Sequence, residues 1–144
     1  MGITYRSDPG SDLTVSVIDG TVSGDEVHAF AQRQDADPAW HATTRLLSDA
    51  RTSHMRHVTA AELHAFADLY AQMRRNDRPF RAAIVADKDF ELAGRYGDLL
   101  NHSGASRTIA FTSLTTACIW LDIDLATVRA TIAQLRDELS VAKA

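Results

Sequence analysis

Three pairs of polar residues stand directly after apolar runs of strand length: Asp49 and Arg51, Asp87 and Lys88, Thr112 and Ser113. In a sheet with helical crossovers, loops and helix N-termini converge beyond the carboxyl ends of the strands, so these six residues are expected to share one mixed-charge rim. Such a rim can orient the head group of an amphipathic ligand or meet a protein partner, with Tyr70, Phe111 and Trp120 supplying apolar wall. The same residues also have a structural reading. Asp87, Thr112 and Ser113 suit helix caps, and Arg51 or Lys88 can neutralise Asp49. His54, His57 and His64 with Glu62 are the candidates for a metal site, because His54 and His57 are close enough in the chain to reach one ion. Their spacing matches no established zinc pattern, and no metal is expected.

Catalytic signatures are missing. The 7 glycines are dispersed, so no glycine-rich loop offers backbone amides to a nucleotide phosphate, and no Gly-x-Ser-x-Gly elbow presents a nucleophile. Gly94 and Gly97 fall within a helical stretch, where close packing on a neighbour is the expected use. An enzyme built on Asp49, Asp87 and a histidine is the weakest of the functional readings. No catalytic residue and no cofactor is assigned. Cys118, the single cysteine, sits among Ala117, Ile119 and Trp120 and reads as a small buried side chain with an inert thiol.

The elements that must position these residues follow from periodicity. The central feature is Phe80 to Lys88, whose continuous apolar stretch Ala82–Ala86 reads as a strand buried on both faces. Ile3–Arg6 and Leu13–Asp19 read as a hairpin around Pro9-Gly10. Ser23 and Glu26 have capping-box spacing and open a helix over about Gly24 to Gln34, which Pro38 stops. A third strand covers Thr44–Asp49, and Arg51 to Val58 reads as a polar loop. Thr59 and Glu62 repeat the capping box before a helix through Met73, with Leu63, Phe66, Tyr70 and Met73 on one side. A helix follows Asp87 as far as His102, a short strand covers Ser106–Phe111, an apolar helical turn includes Leu114, Ala117, Cys118 and Leu121, and a closing helix spans about 124–141. The fold class is therefore α/β: a small, mostly parallel sheet of about five strands, an N-terminal hairpin and helical crossovers, expected to form one domain over 1–144.

Composition narrows the functional classes. A formal net charge of −4 argues against general nucleic-acid binding, which favours a basic excess. The basic cluster from Arg74 to Arg81 reads as cations at a helix C-terminus followed by a solvated loop. No apolar run is long enough for a membrane span, and the first residues lack the pattern of a secretory signal, so the cytoplasm is the expected compartment.

Four blocks together carry a resemblance: Leu46-Leu47-Ser48-Asp49, Ile84-Val85-Ala86-Asp87-Lys88, Gly97-Asp98-Leu99-Leu100, and Ser113-Leu114 with Ala117 and Trp120-Leu121. Over Leu13 to Asp122 they resemble the SpoIIAA-like family of STAS-type domains, named after anti-sigma-factor antagonists and sulphate transporters. The resemblance implies a sheet wrapped by helices, noncatalytic roles in protein interaction, and ligand or lipid binding. The Asp-Ser-Ser-Gly block that carries a phosphorylated serine in the antagonists is missing. Thr59 is the one hydroxyl in its neighbourhood, as a candidate phosphosite or simply as a cap. The expected function is a regulatory or protein-interaction domain that self-associates as a small homo-oligomer such as a homodimer. The alternative is a carrier of a small amphipathic or lipid ligand in a cleft at the strand ends.

Overall fold

A computed structural model of the chain describes residues 2–104 and 106–143. Its strands are β1 (Gly2–Asp8), β2 (Leu13–Gly20), β3 (Arg45–Ser53), β4 (Phe80–Ala86) and β5 (Ser106–Phe111). The helices are α1 (Gly24–Asp35), α2 (Pro38–Ala42), α3 (Ala60–Met73), α4 (Phe90–His102), α5 (Leu114–Leu121) and α6 (Leu125–Lys143). One five-stranded sheet takes the order β1-β2-β3-β4-β5, with β1 antiparallel to β2 and every other pairing parallel. Because parallel crossovers are right-handed and the strand order never reverses, α1, α2, α3 and α4 fall on the same face. The remaining helices α5 and α6 cover the other. Among the described residues, no helix is long and apolar enough to cross a membrane.

Local chemistry sets most boundaries. Ser23 with Glu26 and Thr59 with Glu62 form complete capping boxes at the starts of α1 and α3. Ser113 Oγ accepts from the Thr116 amide at the start of α5, and Asp124 Oδ2 accepts from the Thr127 amide before α6. The edge strand β5 is tied to α4 by Asn101, whose side chain donates to the Thr108 carbonyl and accepts from its amide. There Gly97 lets the helix approach, since a β-carbon on it would lie 3.3 Å from the Thr108 carbonyl oxygen.

Three features depart from the sequence expectation. β3 runs on to Ser53, because after a bulge between Val17 and Asp19 the polar residues Thr52 and Ser53 still find β2 partners in Asp19 and Gly20. The short helix α2 intervenes after α1, with Asp37 accepting from the Ala39 amide and Pro38 in the first turn. Finally, α4 is entered through Asp89 instead of Asp87, and the Asp89 side chain makes no capping bond.

On the α5/α6 side, Val15, Val17, Leu47, Ala83 and Val85 pack against Leu114, Ala117, Leu121, Val128, Ile132 and Leu135 in a closed core. Cys118 is buried within it, and burial raises its thiol pKa.

Candidate functional site

Successive side chains on a strand point to opposite faces, so the residues alternating with that core form the floor under α1, α3 and α4. They are small. Ser16 pairs with Ser48 and Ser48 with Ile84, while Ala50 pairs with Ala86 and Leu46 with Ala82. The helices above present Val27 and Phe30 from α1, Leu63 and Phe66 from α3, and Leu92 and Tyr96 from α4. These layers do not meet everywhere. Between them lies a cavity that offers about 190 Å³ to the centres of water-sized spheres. Leu46, Ser48, Ala82 and Ile84 stay partly accessible at the centre of the sheet because they border this space.

The two ends of the cavity differ in charge. At the end nearer the strand N-termini, Arg74 is only 2 % exposed although it ends a helix. Its Nη1 donates to the Thr43 carbonyl (2.7 Å) and its Nη2 to the Trp40 carbonyl (2.8 Å). The guanidinium carbon lies 4.0 Å from the Trp40 ring centroid and 4.9 Å from that of Phe80. Desolvation brings its pKa down to about 10, which leaves it charged at neutral pH. Nearby, Tyr70 donates to Gln34 Oε1 (2.6 Å), and burial raises the phenol pKa of both Tyr70 and Tyr96. At the opposite end Asp89 Oδ2 accepts from Ser53 Oγ (2.6 Å) and from the Met55 amide (3.0 Å), with Val22 and Val58 alongside. Three buried polar atoms here have no partner: Trp40 Nε1, Arg74 Nε and Asp89 Oδ1.

The six residues expected to form a rim lie outside this cavity lining. Asp49 faces the α6 side with a fully buried side chain, accepting from Arg51 Nε (2.8 Å) and Arg136 Nη2 (2.9 Å). Burial alone would raise its carboxyl pKa, but the bonds from Arg51 and Arg136 outweigh that and the net shift is downward. Arg136 also donates to Thr52 Oγ1, so the cluster fastens α6 to the sheet. Asp87, Lys88 and Thr112 are exposed, and Ser113 is the α5 cap. Of the expected apolar wall, Tyr70 borders the cavity, whereas Phe111 and Trp120 pack on each other in the α5/α6 layer.

The remaining sequence candidates are accounted for locally. Thr59 Oγ1 accepts from the Glu62 amide and donates to its carboxylate (3.0 Å). His57 Nε2 bonds the Val22 carbonyl, His54 and His64 are exposed, and the described residues contain no group of three or more His, Cys, Asp or Glu placed to hold a metal. Arg74 stands at a helix C-terminus as the sequence suggests, but it is buried: its partners Thr43 and Trp40 are far back in the chain, so nothing local announces this. The small side chains of one strand parity, Ser16, Ser48, Ala82 and Ala86, were the readable trace of the cavity.

A crystal structure of an uncharacterized protein from the DUF3478 family with a SpoIIAA-like fold, from Shewanella loihica PV-4, matches this chain with a TM-score of 0.55. The match covers 83% of this chain and 94% of that one at 17% identity. At this identity the likeness establishes the fold, which is SpoIIAA-like. No protein-family model and no curated protein matches the sequence.

Proposed function

We propose that this protein is a noncatalytic binding domain that carries or senses an apolar or amphipathic small molecule between its sheet and the helices α1, α3 and α4. The observation that carries this reading is the cavity itself. Its lining is almost wholly apolar, with charged groups confined to its two ends, so an apolar molecule seated there removes apolar surface of both partners from water. The site thus lies beneath the helices, along the strands, and not in a cleft beyond their ends. Among the described residues no histidine borders it, so Ser16, Ser48 and Ser53 lack an imidazole base, and the Ser53 hydroxyl is held by the Asp89 carboxylate.

Phosphate on Thr59 would meet the Glu62 carboxylate and loosen the start of α3, where Val58 and Leu63 border the cavity. The test of the carrier reading is native mass spectrometry of the purified protein, followed by titration with the neutral fluorophore N-phenyl-1-naphthylamine. A co-purified small molecule or saturable binding of one fluorophore per chain is expected. Absence of both would overturn the proposal.

A second reading, a surface for a protein partner or for another copy of the chain, has its own observation. Ile119 on α5 and Val141 on α6 are each 75% exposed. Light scattering that shows a strict monomer at high concentration would remove the self-association form of it.

A further inference from the structure

We infer that the molecule held in the cavity is neutral and carries a hydrogen-bonding oxygen partway along its apolar body, where the hydroxyls of Ser16 and Ser48 meet it. This deepens the carrier reading and rests on it. Ser16 and Ser48 are register partners on the parallel strands β2 and β3, so they stand about 4.8 Å apart and their side chains leave the sheet on the same face. Both border the cavity; Ser16 is 6% exposed and Ser48 is partly accessible. Among the described residues neither hydroxyl has a hydrogen-bond partner. The side-chain atoms that are both unpaired and shut off from open space are Trp40 Nε1, Arg74 Nε and Asp89 Oδ1. The two serine hydroxyls are unpaired without being shut off, and the open space beside them is the cavity.

They lie at the middle of the floor. On the same face Leu46 precedes Ser48 and Ala50 follows it, with Ala82 and Ile84 alongside on β4. A pure hydrocarbon lying across this row would strip both hydroxyls of water and return no bond, a desolvation cost with nothing to offset it. An oxygen at that row accepts from a serine hydroxyl, while alkyl parts to either side cover the leucine, isoleucine and alanines. The charged residues at the two ends offer an ion no hydrogen bond. Arg74 Nη1 and Nη2 already donate to the Thr43 and Trp40 carbonyls, Asp89 Oδ2 already accepts from Ser53 and Met55, and Arg74 Nε and Asp89 Oδ1 are closed off. A charged head would therefore lose its water without replacement, which a ketone, ester or alcohol is largely spared.

The experiment displaces N-phenyl-1-naphthylamine from delipidated protein with dipentyl ketone, whose oxygen is at mid-chain, with its isomer methyl nonyl ketone, whose oxygen is near one end, and with undecanoate. The shift each ligand gives in the urea midpoint is read beside it at equal concentration. Dipentyl ketone is expected to bind roughly three- to ten-fold more tightly than its isomer, as one neutral hydrogen bond warrants, and undecanoate more weakly than either. Removing both hydroxyls with Ser16→Ala and Ser48→Ala should bring the two ketones together. Since those hydroxyls have no protein partner to lose, the urea midpoint of the ligand-free variant should not fall. Equal binding of the two ketones by the native chain, binding of neither, or a preference for undecanoate overturns this inference and leaves the carrier reading standing. A lowered midpoint in the ligand-free variant makes the serines structural and overturns it too. A chain that binds no fluorophore and carries no co-purified molecule overturns both.

Discussion

Ala82 and Ala83 are neighbours on β4 and face different surroundings, and enlarging each should move stability in opposite directions. Ala82 stands on the cavity floor, whereas Ala83 is 0% exposed in the closed core against α5 and α6. Leucine at position 82 adds carbon equivalent to three methylenes, and at ~0.8 kcal/mol each their burial contributes about 2.4 kcal/mol. Fixing the new side chain costs about 0.5–1 kcal/mol of rotamer entropy, so the net gain is about 1.5–2 kcal/mol. For a chain of 144 residues that raises Tm by about 6 °C. Leucine at position 83 has no space to enter, and overpacking there should destabilise by about 1–3 kcal/mol. Urea unfolding of ligand-free Ala82→Leu and Ala83→Leu, with unchanged slopes, gives both numbers, and fluorophore titration should show Ala82→Leu binding more weakly because the volume is taken. If Ala82→Leu loses stability by about 1 kcal/mol or more, as overpacked cores do, the floor has no room above it and the proposed function fails with it.

Two electrostatic clusters make further predictions. Asp49→Asn should destabilise by about 3 kcal/mol at pH 7, because Arg51 and Arg136 lose the carboxylate that pairs them. The Asp49 carboxyl pKa is lowered on folding, so its contribution is complete above the ordinary carboxylate range and disappears as pH falls through the lower folded value. Native and variant stabilities should therefore converge in acid, and equal urea midpoints at pH 7 would show that the pair does not hold α6. His41 links α2 to the end of α1 through Asp35 and to the turn after α3 through Asp77. Burial alone would lower its pKa, but the bonds to Asp77 and Asp35 outweigh that and raise it. Its charge then stabilises the fold fully below the ordinary imidazole pKa, and that contribution is lost as pH rises through the folded value. Thermal scans of the native chain and His41→Gln between about pH 6 and 9 should show a gap that closes on the alkaline side. A gap independent of pH would place the effect in packing and not in charge.

Which of these features the sequence could disclose depended on how far apart the responsible atoms lie along the chain. Capping boxes at Ser23 and Thr59 span a single helical turn, and the stripe Leu63, Phe66, Tyr70 spans two, so α1 and α3 were readable from their own residues. Arg74 offers no such local clue. Its burial depends on carbonyls 31 and 34 positions away, and the same residue with those carbonyls removed would belong in the solvated loop to which its neighbours Arg75 and Arg78 point. The Asp49–Arg136 pair bridges 87 positions, so the fastening of α6 was equally invisible, whereas Arg51, two positions on, was the partner the sequence already offered Asp49. The cavity is an intermediate case. Read as a run, Ala82 to Ala86 is uniformly apolar and says only that β4 is covered on both sides. Read by parity across three strands, Ser16 alternates with Val15 and Val17, Ser48 and Ala50 with Leu47, and Ala82 and Ala86 stand in line beside them. Where those small residues interrupt Leu46 and Ile84 on one face, the layer above must either reach down to fill the gaps or leave the space to something else. Phe30, Phe66 and Tyr96 border the space from three helices that lie far apart in the chain, so whether it is filled is a property of no single segment.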